Sequence, residues 1–80
     1  MRDAMFEAID NQIRDRTPPE TKRTYDRLKS EGFDHVETMK LLECALTSEL
    51  FYVLKEERVY DEEKYIISLH ALPELPWEDE

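Results

Sequence analysis

A single glycine, Gly32, and four prolines, at positions 18, 19, 73 and 76, are the strong backbone breakers of this sequence. The stretches between them hold nothing that interrupts a helix, and no Asn-Gly or Asp-Gly dipeptide between alternating residues offers a tight hairpin. The chain is thereby confined to a few helices, and the breakers say where they end.

Apolar residues recur at the helical period between these marks. Met5, Phe6, Ile9 and Ile13 stand three and four apart, which predicts a first helix over residues 2–15. Thr17-Pro18-Pro19-Glu20 has a capping-box pattern. Pro19 disfavours the α conformation at Pro18, so the second helix, 18–30, is capped at Thr17 or one residue later. Its inward stripe is thin, with Tyr25 and Leu28 as main apolar contacts. Gly32 sits where a helix C-terminus takes a left-handed residue, and Phe33 can fold back over the last turn.

Asp34 and Glu37 repeat the capping logic and open a third helix, 35–56. At about 100° per residue, Val36, Met39, Leu42, Leu46, Leu50, Val53 and Leu54 share one sector and form its expected core face. Leu41, Ala45 and Tyr52 form a second strip, and Cys44 and Phe51 a third, so this helix is expected to be central. Asp61, followed by Glu62 and Glu63, caps a fourth helix, 62–72, which points Tyr65, Ile66, Leu69 and Leu72 inward until Pro73 stops it. The expectation is an all-α bundle of about four helices in one domain, 1–80, with an irregular tail, 73–80.

Charge narrows the function classes. The chain carries 20 acidic and 11 basic residues, a net charge of −9. Generic binding to nucleic acid or to an anionic membrane needs clustered cations, so both are disfavoured. The charge is unevenly placed: residues 1–40 sum to −1 and residues 41–80 to −8. Arg14, Arg16, Lys22, Arg23, Arg27 and Lys29 make residues 14–29 locally basic, which reads as a solvated helix face. No apolar run is long enough to span a bilayer, and the N-terminal residues lack the apolar block of a secretory signal. A soluble, cytoplasmic protein is expected.

Chemical motifs are sparse. Cys44 is the only cysteine; it forms no internal disulfide, lies mid-helix away from an activating cation, and reads as a small buried hydrophobe. His35 and His70 lie at helix ends and lack the spacing of a metal pair. Ser30, Ser48 and Ser68 have no base nearby in sequence, and one glycine cannot build a phosphate loop. No cofactor, metal, small-molecule ligand or catalytic residue is expected. The one enzymatic alternative rests on Glu43 and Glu49, beside the apolar face of the third helix, where a buried carboxylate either pairs or titrates high enough to act as a general acid.

Pro73-Glu74-Leu75-Pro76 has Pro-x-x-Pro spacing, and Leu75 with Trp77 forms either a strap over the helices or an exposed motif that docks a partner. These two residues are the candidate partner-binding residues. The leading functional expectation is an acidic helical protein–protein interaction module, binding a protein partner or a second copy. The alternative is an acidic regulator that occupies the basic, nucleic-acid-binding surface of a partner.

The run Pro18-Pro19-Glu20-Thr21 with Arg27-Leu28, then Glu31-Gly32, Leu41-Leu42-Glu43-Cys44, and Asp61 to Tyr65 followed by Leu72-Pro73, resembles the C-terminal part of DUF1841-type proteins. These are small bacterial helical domains of unknown function. The similarity covers residues 10 to 73. It implies a bacterial source and a small all-α architecture, and it brings no activity. Histidines in the first turns of the long helix are common in that group, but here the region reads His35-Val36-Glu37-Thr38-Met39-Lys40, so no paired-His site is implied.

Overall fold

The computed structural model describes residues 4–75. They form four helices: α1 (Ala4–Asp15), α2 (Pro19–Ser30), α3 (His35–Glu56) and α4 (Glu62–Ala71), with no strand among the described residues. The long α3 packs against the other three, while α2 touches both α1 and α4. This is the expected all-α bundle. The first residues expected in α1 and the tail from Pro76 onward, including Trp77, lie outside the described residues.

Local chemistry accounts for the ends. The cap of α2 is Pro18, in extended backbone and without a side-chain hydrogen bond. The Thr17–Glu20 capping box therefore does not form, and the Thr17 hydroxyl donates to the Asp15 carbonyl instead (3.1 Å). Pro19 explains the shift: it forces the preceding residue out of the α region, and it begins a helix well because its missing N–H would have gone unpaired. At the other end, Phe33 N–H bonds the Leu28 carbonyl and Gly32 N–H the Lys29 carbonyl. That is the Schellman arrangement, closed by Gly32 at φ +105°. Asp34 caps α3 by accepting from Glu37 N–H (2.8 Å), and Asp61 caps α4 by accepting from Glu63 N–H (3.0 Å).

The core draws on all four helices: Ile9 of α1, Leu28 of α2, Met39, Leu42, Ala45 and Leu46 of α3, and Tyr65 and Leu69 of α4 with Leu72 just beyond. The thin apolar stripe of α2 is completed by Thr21 and Thr24, both buried. Ile66 is only half-buried, so the inward face of α4 is narrower than expected.

The buried face of α3 differs from the expected one. Met39, Leu42 and Leu46 are buried, but so are Thr38, Ala45 and Glu49, whereas Val36, Leu50 and Leu54 are exposed and Val53 is half-buried. The inward sector is thus rotated by roughly 60° from the apolar maximum. Two causes act together. Glu49 is drawn inward by partners in the α3–α4 connection. And α3, at 22 residues against 12 in α1 and α2, is about 33 Å long and outruns the helices that could cover its other apolar sectors.

Candidate functional site

Glu49 is 4% exposed and fully engaged. Arg58 donates to both its oxygens, Nη1 to Oε2 at 2.6 Å and Nη2 to Oε1 at 2.8 Å, and the Asp61 backbone N–H donates to Oε2 at 2.9 Å. The backbone makes this possible. Glu57, the α3 C-cap, is left-handed at φ 52°, and it turns the chain so that Arg58 lies back along the helix it has just left. Arg58 also meets Glu56 at 2.9 Å. The Arg58 hydrogen bonds hold the Glu49 carboxyl below its ordinary value, against burial, and Glu49 in turn raises Arg58. A general acid needs the opposite shift. The enzymatic alternative therefore loses Glu49, which is an ionised structural clasp between α3 and α4. Glu43 is half-buried on the same helix.

A second polar cluster lies inside the bundle. Thr21 Oγ1 donates to Gln12 Oε1 at 2.8 Å, Tyr65 Oη donates to the same oxygen at 2.7 Å, and the two hydroxyls are 3.2 Å apart. It ties α1, α2 and α4 together. Burial pushes the Tyr65 phenol up to about 12. The sequence did carry a signal for this cluster: Thr21, Thr24 and Leu28 have helical spacing, but threonines are not ordinarily counted in an apolar stripe.

The outward side of α3 is the exceptional surface. Leu50, Phe51 and Leu54 are 38%, 57% and 80% exposed, Val36 at the other end of the helix is 51% exposed, and Val59 in the following turn is 85% exposed. Phe51 is flanked by the Tyr52 ring and by the Lys55 ammonium, 5.8 Å from its ring centre. Scattered exposed apolar residues are ordinary, but several at i, i+1 and i+4 of one helix make a continuous strip of the kind that contacts another macromolecule.

The remaining sequence candidates are placed as follows. Leu75 is half-buried and lines an open groove of about 260 Å³ with Phe33, Leu41 and Cys44. Trp77 lies outside the described residues. Cys44 is half-buried, not buried as expected, because it stands beside the outward sector of α3. Burial, and then Glu43, raise its pKa and hold the thiol neutral. His35 accepts or donates a hydrogen bond at Nδ1 with Tyr25 Oη (2.8 Å), its ring edge-on to the tyrosine. Among the described residues no three His, Cys, Asp or Glu side chains gather as metal ligands. On the basic side of α2, Lys22 pairs with Asp26, and Arg27 bonds both Glu31 and the Leu69 carbonyl, so two of its cations are taken up internally. No helix among the described residues is long and apolar enough to cross a membrane.

Among the described residues these features define four helices packed as a bundle, with internally bonded buried polar clusters and an apolar strip on α3 that no other described helix covers. No family model matches the sequence, and neither does any curated protein or solved structure.

Proposed function

We propose that this protein is an acidic, non-catalytic protein–protein interaction module whose contact surface is the outward face of α3. The observation that carries the reading is the exposure of Leu50, Phe51 and Leu54 along one helix that is otherwise well packed. Covering such a strip removes apolar surface from water at about 25 cal/mol per Å², and none of the other helices among the described residues covers it. The half-buried Leu75 supports the neighbouring side of α3 and plays a secondary part. The solitary neutral thiol of Cys44 suits a reducing compartment, so the cytoplasm is the proposed location.

The test is affinity capture by the wild-type chain and by Phe51→Glu side by side, followed by reconstitution of any captured protein from purified components. Contact at this face predicts a purified complex weakened at least about tenfold by the substitution, since a buried aromatic anchor typically carries that much. A complex indifferent to Phe51→Glu and Leu54→Glu would overturn the reading.

A further inference from the structure

Thr24 is 4% exposed, and its side chain makes no hydrogen bond among the described residues. A buried hydroxyl without a partner gives up its water for nothing unless a ligand or solvent reaches it. Unlike the Thr38 hydroxyl, which is also unpartnered, that of Thr24 is not sealed in the bundle. It lines an open groove of about 240 Å³ formed with Glu20, Arg23 and Arg27 of α2 and His70 of α4.

The groove is basic on an acidic chain. Arg23 and Arg27 stand one turn apart on the same side of α2. Arg27 is held in place, with Nη2 donating to the Leu69 carbonyl and Nη1 to Glu31 Oε2, each at 3.1 Å. Its bond to Leu69 offsets the partial negative charge of the carbonyl end of α4, and its guanidinium keeps donors beyond the two used. The Arg23 side chain makes no hydrogen bond or ion pair among the described residues. Two guanidinium groups and a hydroxyl are donors for an oxyanion, and a phosphoryl group, with three terminal oxygens, engages all of them where a carboxylate has only two. The volume admits a phosphoryl group and a few further atoms, less than the ~300 Å³ at which drug-sized pockets begin. Glu20 on the groove and the net charge of −9 oppose an extended polyanion.

We propose that the α2–α4 groove is a phosphoryl-binding site, in which Arg23 and Arg27 hold the phosphoryl oxygens and the Thr24 hydroxyl donates to one of them. His70 forms the α4 wall, and Glu20 is the opposing charge that limits affinity. The site lies apart from the outward face of α3 and does not depend on the role proposed for that face. A small phosphate ester and a phosphorylated side chain of a partner present the same three oxygens.

NMR titration of the isotope-labelled full chain with inorganic phosphate, against chloride at matched ionic strength, tests the site. Saturable shifts of the Arg23 and Arg27 side-chain N–H groups and of the Thr24 amide are expected with phosphate only. Arg23→Gln should weaken binding about tenfold, the value of a hydrogen bond to a charged group. Thr24→Val should weaken it about threefold or more, without loss of stability in urea unfolding, because the free protein has no bond at that hydroxyl to lose. Glu20→Gln should tighten it about threefold by removing the opposing charge. Circular dichroism verifies that each variant remains helical. No saturable shift, an affinity unchanged by Arg23→Gln or by Thr24→Val, or a Glu20→Gln variant that fails to bind more tightly overturns the proposal. Displacement of phosphate by glycerol phosphate and by a short phosphoserine peptide separates the two sources. A peptide that displaces at lower concentration assigns the group to a protein partner, equal displacement assigns it to a small ester, and failure of both overturns the site.

Discussion

Glu49 and Arg58 form a two-pronged ion pair across the end of α3, with the buried carboxylate also accepting from the Asp61 backbone. The pair does three things at once: it ends one helix, sets the start of the next, and fixes which side of α3 faces inward. Because the Glu49 pKa is lowered on folding, its contribution to stability is complete above the unfolded carboxylate value, about 4.3, and is lost as pH falls through the lower folded value. Acid unfolding should therefore steepen below about pH 4. Glu49→Gln should flatten that dependence and lower stability at neutral pH. In Arg58→Gln, burial acts on the carboxyl without its main counterweight, and a carbon-detected NMR titration should find the Glu49 midpoint moved upward.

Tyr65 gives the alkaline counterpart. Its phenol is pushed up to about 12 by burial, so the neutral form is the one the fold favours. That stability is intact below the unfolded value near 10 and is lost as pH rises toward the folded one. Tyr60 is raised to about 12 as well, also chiefly by burial, and adds to the effect. Tyr65→Phe is expected to lower stability by about 1 kcal/mol near neutrality, the net value of a buried hydrogen bond, while reducing the loss of stability at alkaline pH. Chemical denaturation at neutral and alkaline pH checks both parts.

How far the sequence could be read depended on which interactions decide each feature. Helix ends are local, and Gly32, Asp34 and Asp61 do what their residue types and positions predict. The α2 cap is Pro18, the later of the two positions the sequence allows, because the rigid ring of Pro19 overrides the hydrogen bond that Thr17 could offer. The inward face of α3 was not legible, since periodicity finds where apolar residues lie and cannot tell a core sector from an uncovered one. The choice was made by Arg58, whose approach to Glu49 depends on a left-handed residue at Glu57 that nothing in the sequence announces. The exposed strip on α3 is not legible for the same reason, since spacing alone places Leu50 and Leu54 in the core sector.

That distinction is measurable. Leu42 is fully buried and Leu54 is 80% exposed, although both belong to one apolar sector by spacing. Leu42→Ala should destabilise the domain by about 2–5 kcal/mol, combining lost transfer energy with a cavity, and Leu46→Ala should act in the same direction. Leu54→Ala should stay within about 0.5 kcal/mol, as exposed substitutions do. Urea unfolding at a concentration low enough to keep the chain monomeric separates the two cases. Similar losses for Leu42 and Leu54 would place the core on the sector that spacing alone suggested.

Thr38 offers a substitution expected to stabilise. Its side chain is fully buried in the first turns of α3, and Oγ1 is left without a hydrogen-bond partner among the described residues. A buried hydroxyl that gives up water and gains nothing costs about 1–3 kcal/mol. Valine has the same branching, keeps the stiff χ1 preference of a helical β-branched residue, and replaces the hydroxyl by a methyl. The methyl is somewhat larger, so part of the gain goes into accommodating it. Thr38→Val should raise stability by about 0.5–1.5 kcal/mol in urea unfolding, and Thr38→Ala should gain less because it leaves a small void. Thr38→Ser keeps the stranded hydroxyl while removing the methyl that packs, so it should be the least stable of the three. The order Val above Ala above Ser is the outcome that identifies the unpaired hydroxyl as the cause. A hydroxyl satisfied in solution by an ordered water would reverse the order, because Thr38→Val would then expel a bonded molecule and lose stability.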